Sequence, residues 1–245
     1  MTVDPLILSV ETATLAGSIC ISRARKVLGS DCGDATTSHS NTLLADIDRL
    51  LVKLDLTVRD VDVFAVASGP GSFTGLRIGL ATVKALAATL NRNCLGIPTL
   101  EAIAHSAGKS EKTVALLPAG RGELFAQMFS MSVEGVVQAL DEPTHLSPSR
   151  MVERYFQMDG ICWTGEGARV HSNLIIEAAE RGGHEIIATS SDSSSPKSWR
   201  FAEPALNLAE HVALLATMRL TTAADLSANA LRAIYVRPSD AELKF

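Results

Sequence analysis

Residues 68–87 read S-G-P-G-S-F-T-G-L-R-I-G-L-A-T-V-K-A-L-A. Upstream, Val61 to Ala67 alternates and then runs apolar, the pattern of a buried strand. Downstream, apolar residues recur to Leu90 at helical spacing. A strand passing through a Gly-rich turn into a helix is one α/β unit. The loop admits two readings. Backbone amides and the helix dipole at Gly69, Gly71, Ser72 and Gly75 could face a phosphate. Alternatively, the glycines serve a tight turn and close packing. Neither common fingerprint is present: Gly75 is followed by Leu76-Arg77 rather than Lys-Ser/Thr, and Gly69, Gly71 and Gly75 miss the G-x-G-x-x-G spacing.

The helix carries two apolar faces. Leu76, Leu80, Val83, Ala87 and Leu90 form one. The opposite face is small: Ile78, Ala81, Thr82, Ala85, Ala88 and Thr89, with Arg77 and Lys84 the helix's only charges. A helix apolar all round is covered on both sides. The large face belongs to this chain's core. The small face takes either a second layer of the same chain or a partner helix at close approach. The Leu76–Leu90 run is too short to span a bilayer, and no N-terminal signal pattern precedes it, so a soluble cytoplasmic protein is expected.

Working outward, Leu6–Val10 and Ser18–Ser22 predict a hairpin, and a third strand starts near Val27. Thr36-Thr37-Ser38 is a cap cluster for a helix whose Leu43, Leu44, Ile47, Leu50, Leu51 and Leu54 lie on a stripe of ~120°. Cys94–Ile97 predicts a strand and Pro98-Thr99 opens a helix through His105. A second series follows. Val114–Leu117 and Leu124–Phe129 form a hairpin around Ala119-Gly120-Arg121-Gly122, and Val133–Leu140 reads as a third strand. Ser147-Pro148 starts a helix; Ile161–Thr164 is a strand, with a turn at Gly165 and Gly167 and a helix near Leu174–Ala179. Ile186–Ala188 is the last strand. Residues 190–198, with six serines in nine positions, read as a solvated loop, and Phe201–Met218 reads as a helix with Pro204 in its first turn. The echo between the series suggests a duplicated α/β domain: residues 1–108 with a return over 202–245, and residues 109–201.

Composition narrows the function. The chain has 245 residues, 47% of them hydrophobic, and a net charge of −5. Eleven aromatics and an acidic balance argue against strong unaided nucleic-acid binding. Cys20, Cys32, Cys94 and Cys162 show no C-x-x-C pair and read as buried free thiols. The six histidines show no i, i+4 pair and most are assigned to the surface or to caps; no H-E-x-x-H or G-x-S-x-G occurs. Glu11 and Asp62, near strand ends, are assigned capping or ion-pair roles.

Residues 68–87 resemble the bacterial TsaB family, also called YeaZ. Further pieces agree in order: I-L-S-V-E-T-A-T at Ile7–Thr14, H-S-N-T-L-L at His39–Leu44, P-T-L-E-A-I-A at Pro98–Ala104, R-G-E at Arg121–Glu123 and Y-V-R-P-S-D-A-E at Tyr235–Glu242. The resemblance implies a two-domain, actin-like (ASKHA, ribonuclease H-like) α/β fold. It implies a non-catalytic subunit that supports the catalytic subunit TsaD, together with the ATPase TsaE, in threonylcarbamoyladenosine modification of tRNAs reading codons that begin with A. Catalytic relatives hold a metal with H-x-x-x-H after the strand that follows the long helix; Thr99 and Ile103 occupy those two positions in this chain. No catalytic residue, metal or cofactor is therefore expected, and tRNA is expected to reach this subunit only through the complex. The partner interface is expected at Ile78, Ala81, Thr82, Ala85 and Thr89, covered by a second copy when alone and by TsaD in the complex. Two departures stand out: Pro118 and Gly120 replace an acid and an arginine common in the family, and Glu11 and Ala13 stand for Asp and Ser. The alternatives are an independent actin-like ATPase or small-molecule kinase, and a metallopeptidase.

Overall fold

The computed structural model describes residues 4–33, 39–187 and 197–236, with backbone only for residues 39–41. The chain divides into two compact units: Met1–Ala102 with Leu206–Tyr235, and Ile103–Ala205 with Val236–Phe245.

In the first unit, β1 (Leu6–Glu11), β2 (Ser18–Arg23) and β3 (Lys26–Cys32) form an antiparallel meander. After α1 (His39–Lys53), β4 (Val63–Gly69) pairs parallel with β1; after α2 (Phe73–Leu90), β5 (Asn93–Pro98) pairs parallel with β4. The order is β3-β2-β1-β4-β5. Every residue of β1 and β4 is buried, so both faces of the central strands are covered. Alternation divides them: Ser9 pairs with Ala65 and bonds to helix α7 (Leu208–Arg219), while the next residue, Val66, meets Gly79 of α2.

The second unit repeats the plan. β6 (Ser110–Gly120), β7 (Glu123–Met131) and β8 (Val137–Ala139) form a meander. β10 (Cys162–Thr164) pairs parallel with β6, followed outward by β12 (Ser198–Phe201) and β11 (Glu185–Ile187), both parallel. Helices α4 (Pro148–Tyr155), α5 (Glu166–Val170) and α6 (Ser172–Gly182) complete the unit. Its core stacks Trp163 edge-on against Trp199 and Tyr155. Helix α3 (Thr99–Ser106) contains Ala102 and Ile103, where the units divide.

Several expectations are corrected. Phe201 ends a strand instead of opening a helix, because Trp199 is fully buried and its backbone pairs with β11; Pro204 lies in the connection and the helix starts at Leu208. The strand expected at Ile186 is present as β11 (Glu185–Ile187), but it is followed by β12 and so is not the last. Only Val137–Ala139 of the Val133–Leu140 run is strand, because Ser132 closes a turn with Val136 first. Strand β9 (Thr144–Leu146) and α5 have no counterpart in the sequence expectations, and Gly167 lies inside α5. Leu44 leaves the buried stripe of α1 and is 62% exposed. Cys32 is exposed, whereas His105 and the side chain of His184 are buried, the latter stacked on Trp199. Helix α2 begins at Phe73; at 18 residues it is long and apolar enough to cross a membrane by length and composition, and a third of it is buried inside the protein. The Thr36–Ser38 cap, most of the serine-rich loop and the end of the Tyr235–Glu242 run lie outside the described residues.

Candidate functional site

The turn between β4 and α2 is built by close backbone approach. Gly71, Gly75 and Gly79 stand four residues apart and face the end of β1 and the turn after it. A Cβ on Gly71 would lie 2.6 Å from that of Ala13; one on Gly75 would strike the Thr12 carbonyl, and one on Gly79 the Thr12 hydroxyl. In the gap so left, Thr12 Oγ1 donates to the Gly75 carbonyl at 2.7 Å. The loop motif read from the sequence ends at Gly75 and misses Gly79; the four-residue spacing is the signal that extends it.

Amides that a phosphate would require are engaged within the chain. Gly69 N–H donates to Thr99 Oγ1 at 3.1 Å, Ser72 N–H to the Ala13 carbonyl at 2.8 Å, and Gly75 N–H to Ser72 Oγ at 3.2 Å. Gly69 also needs its backbone freedom, with φ +114° and the Ile234 carbonyl where a Cβ would sit. The glycines thus have a packing explanation, and the loop offers an anion fewer free donors than its spacing suggested.

Thr99 is fully buried with its hydroxyl holding the Gly69 amide, and Ile103 is 5% exposed, packed beside Gly165. Neither side chain is a metal ligand. Among the described residues, no group of three or more His, Cys, Asp or Glu is gathered that could hold a metal ion. Glu11 is buried and caps its own turn, accepting from the amide and hydroxyl of Thr14 at 2.7 and 2.8 Å. Asp62 accepts from the Leu6 amide at 2.8 Å. At the tip of the β6–β7 hairpin, Gly120, Arg121 and Gly122 all have positive φ.

The small-residue face of α2 faces outward. Ala81, Ala85 and Thr89 are exposed, Ile78 and Thr82 half-buried, while Gly75, Leu76, Gly79, Leu80, Val83 and Ala87 face the core. At its N-terminal end the Arg77 guanidinium lies 3.7 Å over the Phe73 ring, which sits 5.2 Å from the half-exposed ring of Tyr235.

A groove of about 490 Å³ runs beside β5, lined by Gly96, Arg219, Thr222, Asp225 and Arg232 among others. Arg219 and Asp225 are engaged inside the chain. Arg219 holds both oxygens of Glu101 at 2.6 Å, and Asp225 accepts from the Ser227 amide at 2.8 Å. Burial still pushes the Glu101 carboxyl above its ordinary range, with Arg219 opposing.

Residues 32–159, just over half of the chain, match the family described as TsaD: tRNA N6-adenosine threonylcarbamoyltransferase. The chain belongs to that family. Within it, the chain is of the TsaB/YeaZ type. It is 26% identical over 211 residues to the tRNA threonylcarbamoyladenosine biosynthesis protein TsaB of Escherichia coli, covering 84% of this chain and 91% of that one. The solved structure of YeaZ from Pseudomonas aeruginosa aligns with a TM-score of 0.71 at 20% identity, over 94% of this chain and 99% of that one. A second structure, titled an uncharacterized protein with similarity to peptidase YeaZ from P. aeruginosa, gives 0.75 at 21% identity, over 95% and 100%. The fold is accordingly actin-like, of the ASKHA class, with the meander-plus-parallel sheet present in both units.

Proposed function

We propose that this chain is a non-catalytic subunit required for threonylcarbamoyladenosine modification of tRNA, acting in the cytoplasm by binding TsaD and supporting it together with TsaE. The observation that carries the reading is the occupancy of positions 99 and 103. Where catalytic relatives are expected to hold paired histidines, Thr99 serves as an acceptor for the Gly69 amide and Ile103 is apolar core. A shared fold does not carry activity with it, so the site decides. The naming of the E. coli relative as a biosynthesis protein supports the pathway.

The docking face in this reading is Ile78, Ala81, Thr82, Ala85 and Thr89 on α2. Small side chains let a second helix approach closely, and among the described residues Ala81, Ala85 and Thr89 of this face are left exposed. A second copy seats there in isolation, giving a two-fold dimer, and TsaD replaces it in the complex. The loop Gly69–Gly75 acts as a packing joint that sets the height of α2, with no phosphate role.

Reconstitution tests the function. With tRNA, ATP and threonylcarbamoyl-adenylate, this subunit alone gives no modified adenosine. TsaD with TsaE is severely impaired without it, and the three together turn over. Modification by this subunit alone refutes the reading. Ala85→Arg tests the face, since it places a charge and a long side chain in a close contact. The variant keeps its circular dichroism spectrum but fails to self-associate in light scattering and fails to bind TsaD. Native association by both measures would reject the face.

A further inference from the structure

Helix α2 carries two bases, Arg77 and Lys84, and no acid along its 18 residues. They stand seven residues apart, which places them within about 20° of each other round the helix and about 10 Å apart along it. Arg77 is exposed and Lys84 half-buried beside Ala81. Among the described residues neither forms an ion pair. Helix α1, which packs on α2, leaves the local balance unchanged: Asp46 pairs with Arg49, and exposed Asp48 offsets exposed Lys53. This patch is positive on a chain whose net charge is −5.

We propose that the protein meant for this face presents a helix with two carboxylates about two turns apart, set against Arg77 and Lys84, and that these bases favour such a partner over a second copy of this chain. The proposal rests on the reading of α2 as a docking face. A two-fold pairing through α2 gathers four bases and no α2 acid within roughly a Debye length, so self-pairing is electrostatically disfavoured. Arg77 is the stronger determinant because its guanidinium lies on the Phe73 ring, which itself rests against Tyr235, making an aromatic and arginine cluster of the kind that dominates binding energy.

The double variant Arg77→Glu/Lys84→Glu turns the chain itself into the acid-bearing partner. Isotopically labelled wild type mixed with this variant is followed by native mass spectrometry and sedimentation, with wild type mixed with labelled wild type as reference. At low salt, mixed pairs exceed their statistical share about tenfold, and the excess disappears at roughly 1 M salt. A statistical mixture at low salt, or no mixed pairs at all, overturns the charge assignment. Adding Ala85→Arg separates the two ideas. If that substitution leaves mixed pairing intact, the docking face itself is wrong and the charge assignment falls with it. If it abolishes all pairing while charge reversal leaves the mixture statistical, only the charge assignment fails.

Discussion

Thr12 is held from two directions, and its surroundings are testable one atom at a time. Its hydroxyl donates to the Gly75 carbonyl, and it lies where a Cβ on Gly79 would have to go. Gly79→Ala is therefore an overpacking change, expected to cost ~1–3 kcal/mol in urea unfolding even though alanine is the better helix former. Thr12→Ala removes the obstructing oxygen. The double variant should recover part of the loss, with a coupling of about 0.5–3 kcal/mol; strict additivity would show that the two residues do not meet. His211 offers a second residue-scale test. Burial holds its imidazole below the ordinary value of 6.5, so the unfolded chain binds the extra proton first as pH falls. The contribution is fully present above pH 6.5 and is lost as pH falls from there through the lower folded value. His211→Gln removes that component, so the wild-type minus variant difference in unfolding free energy should rise with pH between about 5 and 7.5. A flat difference would rule the site out.

At the scale of elements, the legible parts were those with unbroken periodicity. The stripe of α1 and the apolar runs of β1 and β4 announce themselves because each buries the same side of every turn or both faces of every pleat. Ser198–Phe201 did not, because a four-residue strand shows no alternation that a helix could not share, and only pairing to β10 and β11 decides between them. Leu44 misled for a related reason. Helical spacing placed it on the stripe, but the stripe's width is set by what packs against it, and Leu44 lies beyond that edge. For the candidate site, the identities of Thr99 and Ile103 were readable, but the amide that Thr99 accepts comes from Gly69, 30 positions away, and no local pattern encodes that bond. Thr99→Val, which keeps the shape and deletes the acceptor, should cost about 1–3 kcal/mol in thermal or urea unfolding by leaving a buried amide unsatisfied. A neutral result would mean that the Gly69 amide finds another acceptor.

At the scale of the molecule, the first unit is closed by residues from the far end of the chain. Helix α7 packs on β1 and β2 and is fastened by polar bonds across about 200 positions: Ser9 donates to the Ala209 carbonyl at 2.7 Å, and Ser18 accepts from the Ala209 amide at 3.0 Å. Asn207 donates to the Ile19 and Asp31 carbonyls at 3.4 and 3.2 Å, bridging β2 and β3. Leu208, Val212 and Leu215 bury their side chains there. At ~1.5–3 kcal/mol each, these three contribute roughly 5–9 kcal/mol, the scale of a whole domain's stability. A chain ending at Ala205 should therefore lose the first unit while the second persists. The two can be observed separately, because Trp163 and Trp199 both lie in the second unit and the sequence holds no other tryptophan. Far-ultraviolet circular dichroism should fall well beyond the loss of one helix, while tryptophan fluorescence stays blue-shifted and still unfolds with urea. Near-native dichroism per residue in the shortened chain would show that β1, β2 and β4 can cover their α7 face without the return segment, and α7 would then not be what closes the first unit.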